Sequence, residues 1–191
     1  QLRPDSGGGT VLVEDVNSLG HAAGEIWNGS QYFGYVWRPG VGVYASPFYG
    51  YNRSLVFGLN NSGAAVGYAQ TSFSFSTGFY MESDGVSSQP ASQPPYNLSG
   101  DHKYLAISEN GTIIGTHGSQ PFTFSAGTGV EYAEPLGFPL GIIQEATEEG
   151  AFIANFANGA PFTPHGYFYN SKRVVAQSFG SQAIPYGLNE S

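Results

Sequence analysis

The chain has no cysteine and very few charged residues, and both shortages exclude whole classes of function. Without cysteine there is no disulfide framework, no thiolate metal site and no thiol nucleophile. Only 10% of the residues are charged, against roughly 25% in a typical soluble domain. The formal net charge is −8, and the chain has only six lysine and arginine residues, so nucleic acids and anionic membrane surfaces would be repelled. No apolar run approaches the roughly 20 residues of a membrane-spanning helix, so we expect no membrane insertion.

Glycine and aromatic residues are abundant instead. The 191 residues include 28 glycines, 13 tyrosines and 14 phenylalanines, but only one methionine. Glycine permits tight turns, and aromatic and β-branched residues favour strands. The composition therefore predicts an all-β domain, and the glycine run at residues 7–9 predicts a flexible leader over residues 1–10.

A short pattern occurs four times along the chain: a polar residue, two turn residues, a glycine and a short apolar strand. The turn glycines are Gly20, Gly63, Gly111 and Gly150. Such a turn between apolar runs predicts a hairpin, because glycine and asparagine tolerate positive φ. A small residue follows each turn glycine, and we expect it to permit close backbone approach between neighbouring sheets. These small residues are Gly24, Gly67, Gly115 and Ala154.

A second, aromatic pattern recurs in register with the first. Its leading residues are Tyr35, Phe79, Phe122 and Tyr167, spaced 44, 43 and 45 residues apart. A turn follows each aromatic run, with glycine at Gly40, Gly85 and Gly127, and a valine strand comes next at Val43, Val86, Val130 and Val174–Val175. Each unit therefore predicts four strands, typified by a first strand over 53–59 and a second over 64–70. We expect the aromatic third strands to pack between units.

A single four-stranded sheet of about 43 residues cannot bury both of its faces, whereas radial stacking of such sheets can. The sequence thus predicts a small β-propeller of four or five four-stranded antiparallel blades in a single domain over 11–191. A β-sandwich or an open β-array would also fit. The predicted repeats cover residues 11–52, 53–100, 101–140 and 141–182, with a partial fifth copy over 183–191.

The partial fifth copy repeats the first strand, as 11–17 does at the start of the chain. It would fit a longer array, a closing strand against the first blade, or a strand exchanged with a neighbouring molecule through 183–191 or 11–17. The beginning at Gln1 would suit a mature protein after processing, and we expect a secreted or cell-surface location.

Two stretches carry a family resemblance. Residues 59–68 combine a hydrophobic residue, asparagine, a turn and a short Gly-containing apolar strand, and residues 34–40 form an aromatic strand ending in a glycine turn. Together they resemble the HAF-type extracellular repeat, although the His-Ala-Phe triplet of that family is not present. The resemblance spans roughly residues 11–191. It implies a propeller-like repeat scaffold in an exported bacterial protein and no catalytic residues.

The search for chemistry favours binding over catalysis. The four histidines share no metal-ligand spacing and no Asp-x-Asp-x-Asp loop exists, so neither a metal nor another cofactor is predicted. The clustered carboxylates Glu145, Glu148 and Glu149, with Glu131 and Glu134 nearby, leave paired-carboxylate glycoside hydrolysis as an alternative. Aromatic residues in irregular segments are the candidate ligand-binding residues: Trp27, Tyr32, Tyr49, Tyr51 and Tyr96.

Six of the eleven asparagines lie in Asn-x-Ser/Thr sequons, which would accept glycans in a eukaryotic secreted protein. They are Asn28, Asn52, Asn60, Asn97, Asn110 and Asn189. The overall expectation is a non-catalytic extracellular binding or scaffold module whose partner is a carbohydrate or an extracellular protein. The alternatives are a self-assembling surface or filament protein and a secreted glycan-active enzyme.

Overall fold

All regular structure in the described part of the chain is β-strand, which confirms the all-β prediction. The computed structural model describes residues 10–45, 51–72, 75–82, 88–90, 100–118, 120–133, 140–146, 151–158, 163–169 and 175–181. These residues contain the strands β1 Val11–Val16, β2 Ala22–Trp27, β3 Tyr32–Arg38, β4 Gly42–Ala45, β5 Arg53–Leu59, β6 Ala65–Ser72, β7 Phe75–Met81, β8 Ser88–Pro90, β9 His102–Ile107, β10 Ile113–His117, β11 Gln120–Ser125, β12 Gly129–Tyr132, β13 Leu140–Ala146, β14 Phe152–Asn158, β15 Thr163–Tyr169 and β16 Val175–Ser181.

Consecutive strands pair with one another, but separate four-stranded sheets occur only in the third and fourth repeats. Strands β9 to β12 form one four-stranded sheet and β13 to β16 form another, each in chain order. Strands β1 to β8 belong to one eight-stranded sheet with the order β1-β2-β3-β5-β6-β7-β8. Strand β4 is not part of this order and pairs with β3. The two halves of that sheet meet at a single parallel bridge between Tyr32 and Arg53, and the other pairings in it are antiparallel. The eight-stranded sheet is therefore mixed.

The predicted turns have the same backbone geometry in three repeats. Gly20, Gly63 and Gly111 have φ of 74°, 88° and 82°, and each N–H donates to the carbonyl oxygen three residues earlier. In the second repeat the Asn60 side chain closes the turn, because its Oδ1 accepts from the Ala64 N–H at 2.9 Å. Gly150, the fourth predicted turn glycine, lies outside the described residues. Positive φ explains why glycine occupies these positions.

The close approach expected at the small residues of the second strands occurs within a sheet, so the prediction of contact between neighbouring sheets was wrong for Gly24 and Gly67. A Cβ on Gly67 would lie 1.9 Å from the carbonyl oxygen of Leu55, and one on Gly24 would lie 2.0 Å from that of Leu12. Both oxygens belong to the first strand of the same repeat, beside a β-bulge. A bulge kinks the first strand toward its neighbour, and only glycine leaves room there.

The approach between consecutive repeats occurs at glycines of the third strands. A Cβ on Gly34 would lie 3.0 Å from Val56 Cγ2, and one on Gly78 would lie 2.9 Å from the Tyr104 ring. Two hydrogen bonds reinforce these contacts: Gly34 N–H donates to Ser54 Oγ at 2.9 Å, and Ser76 N–H donates to an Asp101 carboxylate oxygen at 2.8 Å.

Two apolar clusters each combine residues from two consecutive repeats. In the first cluster, Ala23 and Val36 of the first repeat pack with six residues of the second, namely Val56, Leu59, Ala65, Ala69, Phe79 and Met81. The second cluster joins the third and fourth repeats through Ala106, Ile114, Ala133, Ile143, Phe152, Ala154 and Tyr169. The third strands thus contribute to packing between repeats, as expected.

The two clusters lie at equivalent positions of the repeat but consist of different side chains. Ala65 pairs with Met81 across β6 and β7, and Phe152 pairs with Tyr169 at the corresponding place across β14 and β15. The Phe152 and Tyr169 rings stack with centroids 4.5 Å apart. The chain as a whole divides into two compact units, Gln1–Tyr104 and Leu105–Ser191, and the division falls within β9.

Candidate functional site

Two of the five candidate aromatic residues, Trp27 and Tyr32, lie against each other at one end of the β2–β3 hairpin. They form its terminal residue pair, and their ring centroids are 4.9 Å apart at an interplanar angle of 50°. The connecting turn is held by Asn28, whose Oδ1 accepts from the N–H groups of Ser30 and Gln31 at 3.0 Å. An asparagine side chain that closes a turn in this way fixes the spacing between the strands it joins. Hairpin closure therefore brings the two rings together.

Arg53 joins this aromatic pair from the next repeat. It begins β5 and forms the parallel bridge with Tyr32, and its Cζ lies 5.1 Å from the Tyr32 ring centroid. A guanidinium at this distance from an aromatic ring is attracted by the negative electrostatic potential of the ring face. The Tyr32 ring thus has two neighbours: the indole of Trp27 and the guanidinium of Arg53, which comes from the following repeat.

Glu25 fixes the position of that cation. Arg53 Nε donates to Glu25 Oε2 at 2.9 Å, and Arg53 Nη2 donates to Oε1 at 2.7 Å and to Oε2 at 2.8 Å. The Glu25 side chain is only 2% exposed, whereas that of Arg53 is 41% exposed. A two-pronged contact of this kind locks the guanidinium plane and neutralises its charge. The Nη1 group takes no part in these bonds to Glu25, so its N–H donors remain for another acceptor.

A related arrangement occurs one repeat further on, around Tyr68. Gly24–Glu25 and Gly67–Tyr68 occupy the same place after their turns, so Tyr68 is the counterpart of Glu25. Lys103 Nζ lies 5.1 Å from the Tyr68 ring centroid, and Phe57 stacks on Tyr68 with centroids 5.4 Å apart. In both junctions, a cation from the first strand of one repeat therefore contacts a ring in the repeat before it.

The electrostatics connect the two arrangements. Burial raises the pKa of the Tyr68 phenol; Arg53 opposes this shift, while the charges of Glu25, Glu14 and Asp101 add to it. Tyr68 is therefore within electrostatic reach of the Arg53–Glu25 pair.

Of the other three aromatic candidates, Tyr51 alone lies among the described residues. Tyr51 is half-buried and packs against the first apolar cluster, which gives it a role in the core. Tyr49 and Tyr96 lie outside the described residues. The structure thus brings together Trp27 and Tyr32, and these two with Arg53 and Glu25 are called the Trp27 cluster below.

The predicted glycosylation sites differ sharply in exposure. Asn28 and Asn110 lie in exposed turns, whereas Asn60 is 2% exposed. Asn52 is exposed, but its Nδ2 donates to the carbonyl oxygen of Thr71 at 2.8 Å. Asn97 and Asn189 lie outside the described residues.

The described residues contain no group of three or more His, Asp or Glu side chains that would hold a metal ion. Of the clustered carboxylates, Glu131 lies in β12 and Glu145 in β13, while Glu134, Glu148 and Glu149 lie outside the described residues. His102 is buried, with its Nδ1 2.8 Å from the Gly100 carbonyl oxygen. His117 Nδ1 lies 2.8 Å from the Tyr132 hydroxyl, so both of these histidines have structural contacts.

Reasoning from the sequence missed Glu25, Arg53, Tyr68 and Lys103. One signal was available for Glu25: it is a carboxylate inside an apolar strand, in a chain with few charges. A buried carboxylate needs a paired cation, so its presence predicts a partner that is distant in sequence. The alignment of repeats also shows that position 25 corresponds to Tyr68, whereas the preceding position is glycine in three repeats and alanine in the fourth.

No family model matches the chain, and no curated protein is significantly similar to it. Within the described residues, the structure contains no helix that is long and apolar enough to cross a membrane. The interpretation of the site therefore depends on its own geometry.

Proposed function

We propose that the chain is a non-catalytic extracellular repeat protein that binds carbohydrate at the Trp27 cluster. The observation that carries this proposal is the prearranged set of Trp27, Tyr32 and Arg53, held by the buried carboxylate of Glu25. Binding sites that are ordered before the ligand arrives lose less conformational entropy on binding. The cluster combines a flat apolar surface with fixed hydrogen-bond donors, which is what a sugar ring requires.

Each member of the cluster has a separate role in this proposal. The partly exposed indole of Trp27 stacks on the apolar C–H face of a hexose. Tyr32 holds the indole in place through their ring contact. The Nη1 group of Arg53 donates to a pair of neighbouring ring hydroxyls, because its other donors are occupied by Glu25.

The charge balance favours a neutral saccharide. Glu25 neutralises Arg53, so the cluster offers no net positive charge to a carboxylate or sulfate. The formal net charge of −8 would add long-range repulsion toward a polyanion. We therefore propose neutral hexose-containing oligosaccharides as ligands, rather than uronic acids or sulfated glycans.

The proposed scaffold is a propeller-like stack of four-stranded blades, as in the HAF-type extracellular repeats that the sequence resembles. Support comes from the two four-stranded sheets, β9 to β12 and β13 to β16, and from the two apolar clusters, which use equivalent positions of the repeat with different side chains. In such a stack, ends of neighbouring sheets meet, and a ligand site forms from two repeats at once. The Trp27 cluster likewise combines residues of two consecutive repeats. A secreted or cell-surface location belongs to the same proposal.

The test is a binding screen of the whole chain against a panel of neutral and acidic oligosaccharides, followed by isothermal titration calorimetry. We expect saturable binding of a neutral oligosaccharide, at least a tenfold loss of affinity in Trp27→Ala, and none in Tyr132→Ala. Tyr132 is a matched control because it is an exposed aromatic residue in β12. Equal affinity of both variants would overturn the proposal, as would a preference for acidic glycans.

The alternative function, a glycan-active enzyme that uses the clustered glutamates, predicts a different result. It requires that a bound oligosaccharide be cleaved and that cleavage stop in Glu145→Gln or Glu148→Gln. The non-catalytic proposal expects the oligosaccharide to be recovered intact from the wild-type protein after prolonged incubation.

A further inference from the structure

The end of the β2–β3 hairpin that carries the aromatic pair has a polar counterpart in the second repeat. Trp27 pairs with Tyr32 across β2 and β3. At the equivalent place, Gln70 pairs with Ser76 across β6 and β7. The two places are equivalent because each begins three residues after the close-packed glycine of the second strand. An amide and a hydroxyl thus replace the two rings, and these groups form hydrogen bonds where the rings offer an apolar face.

The cation of the Trp27 cluster also has a counterpart one repeat further on. Val56 and Tyr104 are equivalent, because each contacts a third-strand glycine of the preceding repeat. Arg53 lies three residues before the first of them, and Asp101 lies three residues before the second. An ionised carboxylate only accepts hydrogen bonds, whereas a guanidinium only donates them. The two positions therefore match the two capacities of a hydroxyl group, which both donates and accepts.

The backbone of the second repeat holds Asp101 in place. Its Oδ1 accepts a hydrogen bond from the Ser76 N–H at 2.8 Å, so Oδ2 can accept from a ligand. Ser76 is only 2% exposed, which makes it a positioning residue, whereas Asp101 and Gln70 are partly exposed. Gln70 Nε2 lies 3.5 Å from Ser76 Oγ. A carboxylate and an amide are therefore arranged around one buried serine.

These polar residues adjoin the Trp27 cluster. Arg53 and Gln70 lie directly opposite each other on β5 and β6. Side chains paired in this way have Cβ atoms about 5 Å apart. Tyr68 provides a second link: burial raises the pKa of its phenol, the charge of Arg53 lowers it, and the charge of Asp101 raises it. Arg53 and Asp101 thus act on the same side chain, and the Trp27 cluster continues into the Gln70–Asp101 pair.

We infer that the saccharide site extends from the Trp27 cluster to Gln70 and Asp101, and that its ligand is a linear neutral oligosaccharide with a disaccharide as its smallest unit. This inference rests on the carbohydrate binding proposed above and defines the ligand of that site more closely. One hexose stacks on Trp27. The next hexose donates a hydroxyl hydrogen to Asp101 Oδ2, and a neighbouring hydroxyl accepts from Gln70 Nε2.

Asp101 determines specificity in this arrangement. A hydroxyl group can donate to its carboxylate, so Asp101 favours a sugar that presents a hydroxyl at this place. A uronic acid or a sulfated sugar would bring a second negative charge close to the carboxylate, and like charges repel. The same residue therefore binds a neutral hexose and disfavours an acidic one.

Isothermal titration calorimetry of the whole chain against a monosaccharide, a disaccharide and longer oligosaccharides of one neutral series tests the inference. We expect the disaccharide to bind about tenfold more tightly than the monosaccharide, as one hydrogen bond to a charged group would provide. Asp101→Asn should remove this gain, because asparagine keeps the acceptor for the Ser76 N–H but replaces Oδ2 by a donor. Gln70→Ala should reduce the gain, and Gln120→Ala, which changes a partly buried glutamine of β11, should leave it unchanged.

The outcomes distinguish this inference from the proposed function. Equal affinities for the monosaccharide and the disaccharide would overturn the inference, as would a disaccharide affinity that neither Asp101→Asn nor Gln70→Ala reduces. In both cases the proposed function stands if Trp27→Ala weakens binding. Binding that Trp27→Ala leaves unchanged would overturn both, as would a chain that binds no neutral saccharide. Unchanged monosaccharide affinity in Asp101→Asn shows that this variant is folded.

Discussion

Glu25 and Arg53 form an ion pair whose two members differ greatly in their access to water. The carboxylate is almost completely buried, while the guanidinium reaches the surface and lies over the Tyr32 ring. A buried carboxylate that loses its partner keeps the full desolvation cost, whereas a partly exposed guanidinium can be hydrated. The pair therefore links the stability of the junction between the first two repeats to the geometry of the Trp27 cluster.

This asymmetry predicts unequal effects when either partner is removed. Arg53→Met leaves the Glu25 carboxylate buried and unpaired, and we expect a loss of about 3–5 kcal/mol in the free energy of unfolding. Glu25→Gln keeps the shape and leaves Arg53 partly hydrated, so we expect about 1 kcal/mol. Urea denaturation measures both. The double variant Glu25→Met/Arg53→Met should recover most of the loss, and equal effects of the single variants would contradict this account.

Glycines at the close approaches should tolerate substitution very differently. In Gly67→Ala the new Cβ would lie 1.9 Å from the Leu55 carbonyl oxygen, so the strands must separate beside the bulge. We expect a loss of about 3 kcal/mol or more, as for other severe overpacking. Gly127→Ala is the matched control, because its Cβ would meet nothing within 4 Å and its φ is not positive. Thermal unfolding checks both, and a stable Gly67→Ala protein would show that the close approach is absent.

The phenol of Tyr80 should resist ionisation in the folded protein. Burial raises its pKa from 10.0 to about 12, with further contributions from the charge of Glu82 and from the hydrogen bond to it. Because the folded pKa exceeds the unfolded value, this contribution to stability is complete below pH 10 and is lost as the pH rises through about 12.

Ultraviolet difference spectroscopy of phenolate formation tests this prediction. We expect Tyr80→Phe to remove a phenol that ionises near pH 12, and Tyr132→Phe to leave that phenol in place. If Tyr80→Phe removed only absorbance that develops near pH 10, the burial described for this side chain would be wrong.

Exposure should decide which sequons are occupied in the folded protein. When the chain is expressed through a eukaryotic secretory pathway, we expect a glycan at Asn28, which lies in an exposed turn. Asn60 should be unmodified in folded protein, because its side chain is buried and closes the turn before β6. Peptide mass spectrometry of the monodisperse fraction checks this, with Asn28→Gln as the control. Folded protein with a glycan at Asn60 would contradict the structure.

The repeat made much of the fold predictable, because strand positions follow from local patterns. The turn at Asn60–Gly63 and the strand from Arg53 to Leu59 were predicted at the positions where they occur. The role of Gly67 was harder to predict. Its close contact is with its own sheet beside a bulge, and a bulge depends on strand register, which local sequence does not show.

The candidate site was predictable only where it is local. Trp27 and Tyr32 lie at the two ends of one short turn, so a hairpin prediction already brings them close. Arg53 is separated from Glu25 by 28 residues, and their contact exists only because two repeats pack together. Pairing between repeats requires the tertiary arrangement, which composition and spacing leave open.

The most direct test of the account follows the fluorescence of Trp27 during titration with a neutral oligosaccharide. The chain has two tryptophans, so Trp37→Phe leaves Trp27 as the single reporter. If the indole stacks on a sugar, its emission shifts to shorter wavelength saturably, and acrylamide quenches it less in the presence of ligand. If Trp27 shows neither change with an oligosaccharide that calorimetry finds to bind, the ligand lies elsewhere and the Trp27 cluster is not the binding site.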